Sequence, residues 1–320
     1  MRALLPRLGK NTLTNQKFVG RQIADYPPVQ NGRAAAFFML GILISTAMLW
    51  MIKTLSQDYG PFQILLARGA VMAVLLAPFV LVRRSVPRVS GTPLKMVGRS
   101  LLAFGGQVMG IAAIAALPLA QAQSLSFTKG FIVLGLAAAV LGERVGPRRW
   151  GAMVLGMVGV VIIVQPNQEF DPASFLALGS AACFATSTIV LKGLTREADR
   201  LTLMFWGAFG QAALALPLAL LWWVALAPGD WLMMLCLGLV AIALQAAMLS
   251  AWRLGDVSAL APLDYLRLVT GSVLGFLAFG EVPGPAIYAG AALIIAANLA
   301  ASWTPGRIGR RRPARPDASA

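Results

Sequence analysis

The sequence predicts an all-α integral membrane protein. Ten transmembrane helices are expected as two inverted five-helix repeats, with both termini cytoplasmic. Three observations carry this expectation. Apolar runs of about 18 residues or more recur along the chain, each long enough to cross roughly 30 Å of hydrocarbon. The composition is 58% hydrophobic with a mean hydropathy of +0.75 and only 12% charged residues, about half the charge of a soluble domain. Basic residues alternate from one connection to the next.

Taken in order, residues 1–33 are polar, basic and broken by Pro6, Pro27 and Pro28. No stretch near Met1 has signal-peptide form, so a basic cytoplasmic tail is expected. A first repeat follows over 34–165, with segments at 34–54, 61–82, 96–115, 118–141 and 148–165. The second covers 172–303, with segments at 173–193, 200–224, 231–251, 257–279 and 284–303. An Arg-rich tail, 304–320, closes the chain. Connections are short and carry Gly or Pro, as at Gly60-Pro61, Leu117-Pro118, Gly146-Pro147, Pro228-Gly229 and Pro283-Gly284-Pro285. Short links make sequential helices antiparallel neighbours in a bundle.

With the N-terminus inside, one side of the membrane receives Arg2, Arg7, Lys10, Lys17, Arg21 and Arg33. It also receives Arg83, Arg84, Arg88, Lys95, Arg99, Arg144, Arg148, Arg149, Lys192, Arg196, Arg200, Arg253 and the Arg307–Arg315 cluster. The opposite connections hold Asp58, Glu169, Asp171, Asp230 and Glu281, with only Lys53 close by. The net charge of +15 is therefore a topology signal. It implies attraction to anionic membrane lipid and no nucleic-acid partner.

The chain has no histidine, which excludes His-ligated zinc, Ser-His-Asp catalysis and His proton relays together. Cys183 and Cys236 lie in apolar runs without CxxC spacing and read as small buried hydrophobes. No metal or cofactor is expected.

The halves align without gaps. Ser124–Pro147 (SLSFTKGFIVLGLAAAVLGERVGP) falls over Pro262–Pro285 (PLDYLRLVTGSVLGFLAFGEVPGP). Gly142/Gly280, Glu143/Glu281, Gly146/Gly284 and Pro147/Pro285 coincide, Phe127/Tyr265 and Lys129/Arg267 are alike, and Gln107 meets Gln245. Five helices per half is an odd number, so the repeats run in opposite directions through the membrane. Secondary carriers are built this way, with substrate near mid-depth between the halves.

These residues carry a family resemblance. LGERVGPRRWGAMVLGMVGVVII after the fourth segment and APLDYLRLVTGSVLGFLAFGEVPGPAIYAGAALII through the ninth and tenth resemble EamA-type members of the drug/metabolite transporter superfamily. Arg68, in ILLARGAV, resembles an arginine such proteins carry in the second helix. The resemblance covers roughly 34–303 and implies a bacterial inner-membrane, multi-pass carrier of amino acids, nucleotide-like metabolites or drugs. Many relatives place a proline mid-way along the fourth helix, where this chain has Phe127-Thr128-Lys129-Gly130. A straighter fourth helix is the expectation.

Three cations, Arg68, Lys129 and Arg267, and one acid, Asp264, lie well inside the spans. Each costs about 2.5–3.5 kcal/mol at a helix centre on insertion scales, so they face protein or water and mark function by default. Lys129 and Arg267 occupy equivalent places and are candidates to grip one anionic group, as point charge and fork. Against this stands pairing of Arg267 with Asp264 three residues earlier. Asp264 reads either as that partner or as a carrier of coupling protons. Arg68 reads as substrate contact or as a fixed interhelical partner. Gln107 and Gln245, Ser126 on the polar fourth segment, and Tyr265 and Trp206 as stacking surfaces complete the candidate site. Glu143 and Glu281, at helix ends, read as caps or loop braces.

The leading expectation is a secondary transporter moving a small metabolite by alternating access, the substrate bearing a carboxylate or phosphate. The alternative is export of amino acids or of amphipathic or cationic compounds, sulfonium and drug-like molecules included. An intramembrane enzyme lacks the paired acids or nucleophile it would need, and a scaffold gives the buried charges no use. Direction, coupling and the choice between monomer and homodimer stay open at this level.

Overall fold

The computed structural model describes residues 30–82, 93–141, 146–164, 171–194, 200–254, 260 and 263–302, and these residues form helices and connections without a strand. The helices are α1 (Asn31–Leu55), α2 (Pro61–Val82), α3 (Pro93–Ala116), α4 (Leu119–Ser126), α5 (Lys129–Leu141) and α6 (Pro147–Val164). The second half supplies α7 (Ala173–Leu194), α8 (Arg200–Leu221), α9 (Asp230–Leu254), α10 (Leu266–Phe279) and α11 (Pro285–Ser302). Both tails and the Glu143 connection lie outside the described residues.

Local chemistry sets the boundaries. α2, α3, α6 and α11 each begin on proline, whose missing N–H costs nothing in a first turn and whose fixed φ suits it. α10 ends at Gly280, whose φ of 65° is open to a residue without Cβ. Its N–H bonds Phe276 O at 3.1 Å, the bond of an αL cap, and the Glu281 N–H bonds Gly275 O at 3.0 Å, so two end carbonyls of α10 are satisfied. Among the described residues six helices are long and apolar enough to cross a membrane, within α1, α2, α3, α7, α8 and α9, and α6, α10 and α11 contain shorter apolar helices. Val74, Leu277 and Val282 are more than two-thirds exposed, which suits hydrocarbon and not water.

The fourth segment departs from expectation. It is interrupted at Phe127-Thr128, between α4 and α5, although no proline stands there. Phe127, Thr128, Gly130 and Phe131 N–H groups bond the carbonyls three residues back, at 3.0–3.2 Å. The coil is tightened into 3₁₀ geometry. Ser124 and Ser126 hydroxyls bond the carbonyls of Ala120 and Gln123, and such back-bonding bends helices. A cluster of serines does here what a proline does elsewhere.

Packing pairs the halves. α1 lies along α9 and α3 along α7, while α2 pairs with α8, α6 with α11 and α4 with α10. The repeat register maps α1 onto α7, α2 onto α8, α3 onto α9 and α6 onto α11. The α1–α9 and α3–α7 pairs then exchange, and α2–α8 and α6–α11 map onto themselves, whereas α10 answers to α5 and the α4–α10 pair has no such self-match. The α6–α11 pair meets backbone to backbone: a Cβ on Gly159 would stand 2.7 Å from Gly290 O, and one on Gly290 2.5 Å from Gly159 O. Gly106 and Gly110 admit Cys183 and Ser180 of α7, and the Phe131 ring occupies the space beside Gly156. Gly151 faces open space.

One end of the bundle is closed by polar ties above an apolar plug. Lys53, at the end of α1, pairs with Glu281 and donates to Leu117 O at 2.8 Å. The second Glu281 oxygen accepts the Leu119 N–H at 2.7 Å, capping α4. Tyr59 donates to Asp230 at 2.7 Å, and Gln63 exchanges two bonds with the Val224 backbone. Beneath them Met51, Ile52, Leu55, Ile64, Leu65, Phe104, Met234 and Leu237 form one buried cluster. Glu281 is thus a brace and a cap at once.

Candidate functional site

The interruption between α4 and α5 and the start of α10 meet where the two halves cross. Phe127 and Tyr265, equivalent in the repeat register, pack with ring centroids 5.2 Å apart at 51°. Tyr265 sits outside the regular helix, and the Leu268 N–H bonds its carbonyl at 3.0 Å. Helix interruptions that face each other inside a bundle free backbone and side chains for a ligand.

Two residues beyond each aromatic stands a cation. Lys129 opens α5, and its ammonium lies 5.7 Å from the Phe184 ring centroid of α7, within cation–π range. It feels the charges of both Asp264 and Arg267. Arg267 Nε lies 2.9 Å from Asp264 Oδ1, although its N–H is not aligned on that oxygen and is otherwise unpartnered. Arg267 Nη2 approaches Met248 Sδ at 3.9 Å. About a third of both side chains is exposed, 32% for Arg267 and 40% for Asp264. The crossing therefore offers one locally compensated pair, one further cation and three aromatic faces. Thr46 and Thr270 join α1 to α10 through a 2.8 Å hydroxyl bond, and Gln123 packs against Gly271. Among the described residues no cluster could hold a metal ion.

The sequence candidates fall into separate groups. Lys129, Asp264, Tyr265 and Arg267 come together at the crossing, and Ser126 stands beside it, exposed and bonded to Gln123 O at 2.6 Å. Arg68 and Trp206 belong instead to the α2–α8 pair. Arg68 Nη2 donates to Gln211 Oε1 at 3.0 Å, and Gln211 Nε2 donates to Leu65 O at 3.0 Å. The Trp206 ring packs edge-on against Phe205 and Phe209. Gln107 is half-buried with an unpartnered Oε1, whereas Gln245 is exposed. No described bond links these two amides.

Sequence reasoning missed Phe184, Gln211 and the Thr46–Thr270 pair. Gln211 left a signal, a lone amide in an apolar run. Phe184 left none, since its equivalent in the register is Thr46.

Comparison with known proteins gives this fold its family. The model of the EamA-like transporter family matches residues 32–165 and again 171–303. The chain belongs to that family and is a multi-pass membrane protein. It is 27% identical to an S-adenosylmethionine uptake transporter of Rickettsia prowazekii over 264 residues, 82% of this chain and 90% of the relative. A riboflavin transporter of Rhizobium johnstonii is 33% identical over 65% of this chain and 69% of its own length. A pseudopaline exporter of Pseudomonas aeruginosa is 25% identical over 83% and 95%. One solved crystal structure shares the fold, with a TM-score of 0.59 and 20% identity over 84% of this chain and 95% of that one.

Proposed function

We propose that the chain is a secondary carrier of the bacterial inner membrane that binds a small metabolite at the α4/α5–α10 crossing and works by alternating access. Ten spans in two inverted five-helix repeats, with both termini cytoplasmic, complete the reading. The observation that supports it best is the meeting of Phe127 with Tyr265 between Lys129 and the Asp264–Arg267 pair.

Chemistry narrows the substrate. Arg267 is compensated by Asp264 and Arg68 is engaged by Gln211, so among the described residues Lys129 is the uncompensated charge at the crossing. A single net cation among Phe127, Tyr265 and Phe184 suits a planar metabolite carrying one carboxylate or phosphate. The relatives named for S-adenosylmethionine and riboflavin agree on the flat ring but not on the acid, since riboflavin carries neither carboxylate nor phosphate and S-adenosylmethionine is a sulfonium. A second reading, export of an amino acid or a cationic compound, draws on Asp264, 40% exposed and able to receive an ammonium or sulfonium.

Thermal unfolding of the purified chain with a metabolite panel separates the two. The panel holds S-adenosylmethionine, riboflavin, nucleotides, neutral amino acids and a sulfonium lacking the carboxylate. A ligand at a hundred times its Kd stabilises by about 2.7 kcal/mol. Stabilisation by a ring-bearing acid that is lost in Lys129→Gln supports the first reading. Stabilisation by the bare cation, kept in Lys129→Gln and lost in Asp264→Asn, supports the second. Uptake into vesicles by both variants at the parent rate would sink the site altogether.

A further inference from the structure

We infer that Arg68 and Arg99, with the Trp206 indole, form a separate anion site between α2, α3 and α8 that takes a phosphate group. Three buried donors there, Arg68 Nε, Arg99 Nε and Trp206 Nε1, have no hydrogen-bond partner among the described residues. Buried N–H groups without an acceptor are rare, and three around one stretch of α8 ask for the same thing.

Geometry brings the two arginines to one face of α8, with Trp206 on the neighbouring stripe. Arg68 reaches Gln211. Arg99 Nη1 lies 3.9 Å from the point a Cβ on Gly207 would occupy. Gly207 and Gln211 are one turn apart on the same side of α8, so the two guanidinium groups approach it about 6 Å apart along the axis. Gly210, on the adjoining stripe with Trp206, packs on Ser100 next to Arg99. Gly98, before Arg99, faces open space and Arg99 is half-buried, which leaves an approach from the α3 side.

Charge agrees with geometry. Neither arginine has an acidic partner among the described residues. Arg68 bonds a neutral amide already anchored to Leu65 O, so its charge is left uncompensated. Arginine forks match phosphate oxygens. Two forks and an indole N–H offer more donors than one carboxylate accepts and suit the several oxygens of a phosphate. The group has two sources, an anionic lipid headgroup or free phosphate. Arg99 is six residues into α3, about 9 Å along its axis. On the proposed topology this is headgroup reach of the cytoplasmic leaflet, where anionic lipid gathers.

The test uses the full chain, stripped of lipid in a neutral detergent, and reads its Tm. Phosphatidylglycerol, phosphatidylcholine with the same acyl chains, and inorganic phosphate are added in turn. We expect phosphatidylglycerol to raise Tm, phosphatidylcholine to leave it unchanged, and Arg99→Gln to need at least ten-fold more phosphatidylglycerol for the same rise. If inorganic phosphate alone gives the Arg99-sensitive rise, the site stands and its ligand is free phosphate. Equal response of Arg99→Gln and parent, equal response to both lipids, or no response to either phosphate source overturns the site. Arg99→Gln leaves the buried Arg68 in place, so the test survives if Arg68→Gln does not fold. Lys129→Gln should keep the full response, which separates this site from the metabolite site.

Discussion

Lys53 and Glu281 have side-chain exposures of 10% and 14%, low enough that removing one charge strands the other. Breaking such a pair typically costs about 3–5 kcal/mol, while replacing both partners by apolar groups is often neutral. Glu281→Gln should therefore destabilise by several kcal/mol, and Lys53→Met with Glu281→Leu should recover most of it, less the lost Leu119 cap. Chemical unfolding in mixed micelles checks this, and equal losses in the single and double variants would disprove it. At the crossing, Asp264→Asn releases Arg267 and should tighten binding of a carboxylate ligand. Lys129→Gln should weaken it ten-fold or more, because bonds to charged groups contribute about 1.5–3 kcal/mol; calorimetric titration gives both signs. The sequence singled out Arg68, Lys129, Arg267 and Asp264 as charges inside the spans, and offered a partner only for Arg267, in Asp264 three residues away. Lys53 meets Glu281 across 228 residues and Arg68 meets Gln211 across 143, distances that only the fold can close.

Helices show the same division between local and distant causes. Proline starts and the Gly280 stop are written in neighbouring residues, so their ends were legible. The interruption at Phe127-Thr128 was not, because serine back-bonding competes with the helix only weakly and a search for proline overlooks it. Phe127→Leu should cost about 0.5–1.5 kcal/mol for the lost ring pair and also disturb Lys129, so ligand affinity should fall more than stability does. Comparing the two changes in one titration series tests the link. Between α6 and α11, Gly159→Val drives side-chain carbon into a carbonyl and should destabilise by about 1–3 kcal/mol. Gly151→Ala, facing open space, should be neutral or slightly stabilising, since alanine favours helix over glycine. If both glycine variants behaved alike in Tm, the backbone contact would not be what holds that pair.

Across the whole molecule, hydropathy and the charge asymmetry made the membrane class legible, and the paired Gly-Glu-x-x-Gly-Pro motifs made the repeat legible. Which helices touch was not, since no apolar run says what it packs against. The topology is open to direct assay. In a chain with Cys183 and Cys236 replaced by alanine, Gln57→Cys should react with an impermeant thiol reagent added to intact cells. A cysteine placed in residues 304–320 should react only after lysis, and labelling of both in intact cells would overturn the orientation. The pairing pattern reaches further. If a carrier's two end states differ by exchanging the conformations of its repeats, contacts that map onto themselves survive the exchange and the others are traded. The α6–α11 seam, backbone against backbone at Gly159 and Gly290, then serves as a fixed axle about which the rest rocks. Spin labels on α6 and α11 should keep their separation with and without substrate. Labels on α1 and α10 should spread as the Lys53–Glu281 latch lets go.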